Sequence, residues 1–228
     1  MDPGLEILWH TETLADVPVH DGWLGPEELE CLAAMRFPRR RSSWRLGRWT
    51  AKAALRACLP GSDGLPLPAF QILAAPDGAP VAWVGSTPAP ASISLSHRDE
   101  LGFCVVARPA AAVGCDVERI EVREEGFFRD YFTAGEAAWV EQSPRLDRTL
   151  LETLIWSAKE SALKALREGL RRDTRSVAVE LNRSGQSWST LQVRCTESAR
   201  LFRGWWSRRG DFVLTIVTDH RGEVRLIP

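Results

Sequence analysis

Three apolar, strand-like runs follow one another between residues 91 and 118, and they constrain the fold more than any other part of the chain. "ASISLS" (91–96), "LGFCVVA" (101–107) and "AAVGCDVE" (111–118) are separated by short stretches rich in turn-forming residues. Short apolar runs bounded by turn signals are typical of β-strands. The spacing predicts a meander of three consecutive strands.

Helical patterns lie on both sides of this block. A Pro-Glu-Glu start at residue 26 predicts a helix over 27–35, and a second helix is predicted over about 40–59. The "TAGE" segment at 133–136 has capping-box spacing, and a longer helix is predicted from after Pro144 to near Gly169.

The remaining strand signals complete both halves of the chain. Strands are predicted on either side of a turn at Asp77-Gly78, and at "SVAVEL", "TLQVRC" and "DFVLTIVT" in the last third. Each half then has helices and a small sheet, which predicts an α+β fold, as one large domain or as two of about 110 residues each.

Composition excludes several classes of protein. The net charge of −1 argues against general attraction to nucleic acid or membrane, and 44% hydrophobic residues suffice for a sizeable core. The five cysteines are scattered without a CxxC motif, which fits a reducing compartment. No signal peptide and no membrane-spanning run is evident, so the sequence predicts a cytoplasmic protein.

Asp116 and Glu118 are the first candidates for chemistry. A strand has a period of two, so both carboxylates lie on one face, opposite Val113, Cys115 and Val117. Two carboxylates with phosphate oxygens and water are a common way of holding Mg²⁺. A strand end that turns into solvent, with Arg119 or Arg123 nearby, is the simpler interpretation of this motif alone.

The segment "WSAKESALK" (156–164) provides the second candidates. Trp156, Glu160 and Lys164 recur every four residues and share a face of the predicted long helix. Glu160 could serve as a third metal ligand or a base, while Lys159 and Lys164 could bind phosphate oxygens. An ordinary solvated ion pair explains the same spacing.

A basic run provides the third group. No acid occurs between Cys31 and Ser62, where eight cations lie: Arg36, Arg39, Arg40, Arg41, Arg45, Arg48, Lys52 and Arg56. This bias favours an anionic partner, either nucleic acid or a phosphorylated small molecule, over a solvated face. Ser96 and His97 end a predicted strand, where both side chains can donate to a phosphate.

The order of these motifs resembles the 4′-phosphopantetheinyl transferase superfamily, in its larger, pseudo-dimeric Sfp-type branch. The resemblance spans residues 26–170, and its most specific feature is W-S-x-K-E-S downstream of G-x-D-x-E. The blocks that carry the resemblance are "LGRWTAK" (46–52), "DGAP" (77–80), "SLSH" (94–97), "GCDVE" (114–118), "FTAGE" (132–136) and "WSAKESALK" (156–164).

The resemblance implies two domains, 1–108 and 109–228, as similar α/β halves related by a pseudo-two-fold axis, with a coenzyme A site in the cleft between them. It also implies transfer of phosphopantetheine to a serine of an acyl- or peptidyl-carrier protein of polyketide or peptide synthases, with release of 3′,5′-ADP. Mg²⁺, or Mn²⁺, would be held by Asp116, Glu118 and Glu160. Such a chain would not need to dimerise, so a monomer is expected.

The remaining roles are likewise implied by the resemblance. Glu160, Lys164 and His97 would be catalytic, and coenzyme A would be bound by Arg41, Arg45, Arg48, Lys52, Gly78, Ala79, Pro80, Ser96, His97, Lys159 and Lys164. The chain departs from the family at Ala79, where relatives usually carry Lys or Arg. It also departs in the first helix, which holds Glu27, Glu28 and Glu30 in place of basic residues.

Two alternatives compete with the transferase. A non-catalytic coenzyme A or nucleotide-binding module of the same fold predicts a broken metal set, whereas Asp116, Glu118 and Glu160 are all present. A nucleic-acid-binding protein predicts a groove-reading motif in the 36–56 helix, and none is evident. For the transferase, the stretch from Arg119 to Tyr131 is the expected carrier-docking surface, with Phe127 and Phe128 facing an apolar helix and Arg123 and Arg129 its acidic face.

Overall fold

The computed structural model describes residues 4–62, 64–124, 126–182, 187–198 and 200–228, and it has a mixed α+β fold. The helices are α1 (Pro26–Ala33), α2 (Pro38–Cys58), α3 (Phe127–Tyr131), α4 (Ala134–Gln142) and α5 (Arg145–Ala165). The strands are β1 (Leu5–Thr13), β2 (Phe70–Ala74), β3 (Pro80–Val84), β4 (Thr87–Pro88), β5 (Ser92–Arg98), β6 (Leu101–Arg108), β7 (Val113–Arg119), β8 (Val177–Leu181), β9 (Ser189–Cys195), β10 (Leu201–Arg209), β11 (Phe212–Thr218) and β12 (Val224–Ile227).

The chain divides into two compact units. The first unit comprises Met1–Ala111 with Gly222–Pro228, and the second comprises Ala112–Arg221. The predicted division at 108/109 had assigned the last seven residues to the second half. In the structure β12 pairs with β1 in parallel, and the Leu5 N–H donates to the Glu223 carbonyl at 2.9 Å.

The first unit packs the long helix α2 against two small sheets. One sheet has the order β12-β1-β6-β5 and the other the order β2-β3-β4. Leu55 of α2, Phe70 and Ile72 of β2 and Val106 of β6 are buried together in its core. The predicted hairpin around Asp77-Gly78 is confirmed as β2 and β3.

The second unit packs α5 against a five-stranded antiparallel sheet of order β7-β11-β10-β9-β8. Ile155 and Leu163 of α5 lie in its core with Phe202 of β10 and Val213 of β11. The predicted capping box at the start of α4 is confirmed, since the Thr133 side chain accepts from the Glu136 N–H and the Glu136 carboxylate accepts from the Thr133 N–H.

The predicted meander is wrong in its third strand. β5 and β6 form the expected hairpin, but β7 pairs with β11 in the other unit's sheet, with Asp116 opposite Thr215. The free edge of β6 is taken by β1, whose residues Glu6 to Thr13 pair with all of β6. A strand adjacent in sequence is therefore replaced at that edge by one about a hundred residues away.

Each unit contains a buried lysine–glutamate ion pair of the same kind. In each, a 21-residue helix carries a lysine at its fifteenth position, Lys52 in α2 and Lys159 in α5. Each ammonium pairs with the third residue of a short helix, Glu28 in α1 at 2.5 Å and Glu136 in α4 at 2.8 Å.

The surroundings of these two ion pairs also correspond. The glutamate's other oxygen accepts from the third residue of a strand, Ile72 of β2 in the first unit and Val179 of β8 in the second. Each ammonium donates to two backbone carbonyls as well. A fully buried ion pair requires such additional partners, and this arrangement anchors the short helix to the long helix in each unit.

Within the described residues, none of the helices is long and apolar enough to cross a membrane. All five cysteines are described and none forms a disulfide, and Cys104, Cys115 and Cys195 are buried.

Candidate active site in the second unit

β7 places Asp116 and Glu118 directly against α5. Gly114 makes this possible, because a Cβ on it would lie 1.9 Å from the Ser161 backbone oxygen of α5. Only a glycine allows the two backbones to approach so closely. Both acids are buried, Asp116 at 2% exposure and Glu118 at 8%, so each carboxylate needs a compensating partner.

Asp116 is compensated by Lys164. The Lys164 ammonium lies 2.8 Å from Asp116 Oδ1 and also donates to the Cys115 carbonyl at 3.0 Å. Burial lowers the pKa of Lys164, but the charges of Asp116 and Glu160 outweigh burial and raise that pKa to about 12. Lys164 is therefore a permanent cation at this site.

Glu118 is compensated by two neighbours. Arg123 pairs with its Oε2 at 3.2 Å, and the indole N–H of Trp156 donates to its Oε1 at 3.2 Å. The Arg123 guanidinium also stacks on the rings of Phe127, at 4.6 Å, and Trp156, at 5.7 Å. The simpler interpretation of the carboxylate pair thus identified Arg123 correctly as a partner, although the pair is buried and does not turn into solvent.

Glu160 is the third acid of the site and lies one helical turn before Lys164 in α5. Burial raises the pKa of its carboxyl, and the charges of Asp116 and Glu118 raise it further, to about 7, against the opposing effects of Lys164 and Arg123. Its Oε2 lies 3.9 Å from the Lys164 ammonium. A carboxyl with this pKa can exchange a proton near neutral pH.

The three carboxylates have the oxygen donors that a hard divalent cation prefers. Burial is the main cause of the raised pKa of Glu160, the charges of Asp116 and Glu118 add to it, and a cation would offset their repulsion. Among the described residues, however, no three His, Cys, Asp or Glu side chains stand together as a formed metal site. The chain's own cations, Lys164 and Arg123, pair with Asp116 and Glu118 instead.

Lys159 lies apart from this cluster, although the resemblance implied that it binds pyrophosphate. It precedes Glu160 by one position in α5, and the helical period directs it to another face. Its side chain is fully buried in the ion pair with Glu136. Burial lowers the pKa of Lys159, and Glu136 opposes that effect. The structure gives this lysine a role in packing.

Three of the cations assigned to coenzyme A are likewise used within the first unit. Lys52 is fully buried against Glu28. Arg41 donates to the Leu32 carbonyl at 2.6 Å, at the end of α1. Arg45 pairs with Asp21 at 3.1 Å and donates to backbone carbonyls of the 18–20 segment.

Arg48 of α2 and His97 of β5 lie near one another, and Ser96 is half-buried in β5 beside His97. The Arg48 guanidinium stacks on Trp44 at 4.6 Å, and burial lowers its pKa while Glu28 opposes that effect. His97 is exposed near the end of β5, and a Cβ on Gly47, next to Arg48, would meet its ring at 3.9 Å. The structure thus brings the exposed His97 ring alongside the segment of α2 that carries Arg48.

The turn at 78–80 is formed as predicted. Gly78 has φ of +86° and its N–H donates to the Ala75 carbonyl at 2.8 Å. Both backbone polar groups of Ala79 are used in the turn, the N–H by Asp77 Oδ1 at 3.0 Å and the carbonyl by the Ala75 N–H at 2.9 Å. Ala79 therefore has its backbone N–H and carbonyl bonded within the turn.

Three residues of the expected carrier-docking surface, 119–131, have partners within the second unit. Arg123 is only 12% exposed in its side chain and pairs with Glu118, while Phe127 and Phe128 are partly buried against the core of the second unit. Arg129 is exposed and pairs with Glu141, and Val122 is the most exposed apolar side chain among the described residues of this stretch. Glu125 lies outside the described residues.

The comparisons with known proteins bear on this unit. Residues 112–217 match the model of the 4′-phosphopantetheinyl transferase superfamily. The matched segment begins just before β7 and ends within β11, so it contains every residue of the acidic cluster together with Lys164 and Lys159. No curated protein matches the chain. Residues 112–217 of the second unit are thus similar to a 4′-phosphopantetheinyl transferase superfamily domain, and the match supports a transferase.

Sequence reasoning missed the role of Trp156. Its position four residues before Glu160 placed it on the site face, but only the fold shows that its indole reaches Glu118, 38 residues earlier. The chemical signal was present in the sequence, since a buried tryptophan N–H usually finds an acceptor.

Proposed function

We propose that this protein transfers the 4′-phosphopantetheine group of coenzyme A to a serine of an acyl- or peptidyl-carrier protein and releases 3′,5′-ADP. The observation that carries the proposal is the meeting of Asp116, Glu118, Glu160 and Lys164 inside the segment that matches the superfamily. Carboxylates and a fixed cation beside one another suit phosphoryl transfer, which depends on positioning and on neutralising charge.

Each residue then has a defined task. The carrier serine oxygen attacks the β-phosphorus of coenzyme A, forming one P–O bond while the bond to the bridging oxygen breaks and 3′,5′-ADP leaves. Glu160, whose carboxylate lies 3.9 Å from the Lys164 ammonium, accepts the serine proton directly or through water. Lys164 remains charged and neutralises the negative charge that develops on the leaving oxygen of 3′,5′-ADP.

Asp116, Glu118 and Glu160 would hold Mg²⁺ or Mn²⁺, which supplies positive charge to the pyrophosphate oxygens when bound. The donor set fits such a cation, although Asp116 and Glu118 must share their oxygens with it and with Lys164 and Arg123. Arg48, Ser96 and His97 are proposed to bind the nucleotide phosphates. Arg41, Arg45, Lys52 and Lys159 are left out of the coenzyme A site because the fold already uses their charged groups.

The test is the intact mass of an apo carrier protein after incubation with this protein, coenzyme A and Mg²⁺. The carrier should gain about 340 Da, one phosphopantetheine. Glu160→Gln should slow the gain by about 10²–10⁴-fold, the usual loss when a base is removed. Glu180→Gln is the matched control, because Glu180 is an exposed acid of the same unit. Loss of transfer in both variants, or in neither, would remove Glu160 from its role.

A non-catalytic coenzyme A-binding module is the second candidate. The observation that favours it is the pairing of Asp116 and Glu118 with cations of the chain, together with the lack of a formed metal site among the described residues. It predicts tight coenzyme A binding by calorimetry with no mass gain on any carrier.

A further inference from the structure

Glu118 is held by two neighbours that differ in kind. Trp156 is neutral, is buried in α5 and lies in the packed core of the second unit. Arg123 is charged and comes from the irregular segment between β7 and α3. The two contacts reach different oxygens of the same carboxylate, Oε1 and Oε2.

These two contacts have opposite consequences for a cation on Glu118. A neutral N–H that fixes one oxygen orients the carboxylate and leaves its negative charge in place, as outer partners of metal ligands commonly do. A guanidinium on the other oxygen neutralises that charge and repels a second cation. The same carboxylate is therefore positioned by one neighbour and blocked by the other.

We propose that Trp156 is a positioning residue for Glu118 and that Arg123 occupies the place a divalent cation takes on that carboxylate. The inference rests on the metal assignment of the proposed function and adds two residues to it. Cation binding would exchange Arg123 for the metal at Oε2 while the indole keeps Oε1 in place.

Of the two neighbours of Glu118, the fold holds Trp156 in place and allows Arg123 to move. Trp156 is packed edge-to-face with Phe127 at 5.1 Å and Tyr131 at 5.3 Å, which restrains its ring. Arg123 is restrained by stacking on Phe127 and Trp156, but its backbone belongs to no helix or strand. Movement of the guanidinium would give up its contacts with Glu118 and Trp156 but would require no change in the backbone of a helix or strand.

The test measures Mn²⁺ binding by the electron paramagnetic resonance signal of free Mn²⁺, without and with coenzyme A. Trp156→Phe keeps the aromatic ring and removes only the N–H donor, so affinity should fall by about 10–100-fold. Arg123→Gln removes the competing charge, and affinity should rise several-fold. Trp139→Phe and Arg129→Gln, exposed residues of the same unit, should bind as the wild type does.

The opposite signs make the result decisive. Unchanged affinity in Trp156→Phe would overturn the positioning role, and unchanged or weaker affinity in Arg123→Gln would overturn the competition. If the wild type bound no Mn²⁺ even with coenzyme A, this inference and the metal assignment would both fall. Failure of carrier modification with normal Mn²⁺ binding would overturn the proposed function alone.

A second readout needs no substitution that alters folding. In ¹⁵N-labelled wild-type protein, the indole N–H resonance of Trp156 should shift when Mg²⁺ is added, while that of the exposed Trp139 stays in place. Assignment comes from the peak missing in each tryptophan variant. An unmoved Trp156 resonance at saturating Mg²⁺ would contradict the inference.

Discussion

At the scale of single residues, neighbouring charges in one motif have different tasks. Lys159 and Glu160 are adjacent in sequence, yet one is fully buried in an ion pair with Glu136 and the other joins the acidic cluster with a pKa of about 7. The motif therefore combines a residue that holds the fold with one that is available for chemistry. Adjacent positions of a helix point about 100° apart, which is what separates these roles.

The raised pKa of Glu160 predicts a pH dependence of stability in the metal-free protein. Between its ordinary pKa of 4.5 and about 7, the folded state holds the proton more tightly than the unfolded state. The stabilisation is thus complete below the lower value and is lost as pH rises toward 7. Glu160→Gln cannot ionise, so its stability relative to wild type should rise by about 1–3 kcal/mol from pH 5 to pH 8.

Urea unfolding in the presence of a chelator at both pH values measures this difference. Glu180→Gln, which alters an exposed acid, should show no such trend. Equal relative stability of Glu160→Gln at pH 5 and pH 8 would mean that Glu160 ionises normally in the folded protein.

At the scale of elements, the site depends on how closely β7 approaches α5. A Cβ at position 114 would lie 1.9 Å from the Ser161 oxygen and 2.8 Å from the Ala165 nitrogen, both backbone atoms of the helix. Because helix backbone cannot give way as a side chain can, the strand itself would have to shift. Asp116 and Glu118 would move away from Glu160 and Lys164 with it.

Gly114→Ala is therefore expected to reduce stability by about 1–3 kcal/mol, the usual cost of overpacking. Transfer activity should fall further than the folded fraction does. Gly135→Ala is the matched control, since no atom lies within 4 Å of a Cβ there in α4, and it should be neutral or stabilising by up to about 1 kcal/mol. Thermal unfolding and carrier mass measure the two effects; a Gly114→Ala protein with normal activity would show that the close approach is dispensable.

The elements also show which features can be predicted from sequence. The starts of α1, α2, α4 and α5 follow local signals, a proline or a capping box, and were predicted to within about two residues. The partner of β7 could not be predicted, because strand pairing depends on distant residues such as Thr215. β1, β10 and β12 were missed, and β12 is edge-paired to β1 from the other end of the chain.

The candidate site divides in the same way. Asp116, Glu118, Glu160 and Lys164 were predicted from motifs, and the structure brings them together in one unit. The assignment of Lys52 and Lys159 to coenzyme A came from the same motifs, but burial against Glu28 and Glu136 depends on tertiary packing. Local patterns identify charged residues; only the fold shows which charges it has already used.

At the scale of the whole molecule, the matching ion pairs allow the stability of each unit to be tested separately. Removing one partner of a buried pair leaves an uncompensated charge, which costs about 3–5 kcal/mol. Lys52→Met should therefore loosen the first unit around α1 and β2, and Lys159→Met the second unit around α4 and β8.

Hydrogen exchange measured by mass spectrometry can locate these effects. Protection should fall in 26–33 and 70–74 for Lys52→Met, and in 134–142 and 177–181 for Lys159→Met. Loss of protection spread evenly over both units in either variant would show that the chain unfolds as one body.

The same correspondence shows where the units differ in chemistry. Counting from the two lysines, Ala53 and Ala57 of α2 take the places that Glu160 and Lys164 hold in α5. The first unit therefore keeps the buried frame without the acid and the cation of the candidate site. We therefore assign the proposed phosphopantetheine transfer to residues of the second unit.

The most direct measurement is the intact mass of an apo carrier protein incubated with the wild-type protein and coenzyme A, with Mg²⁺ in one sample and a chelator in the other. The account predicts a gain of about 340 Da in the Mg²⁺ sample only. No gain on fatty acid, polyketide and peptide carriers alike, from a protein shown to bind coenzyme A, would contradict it.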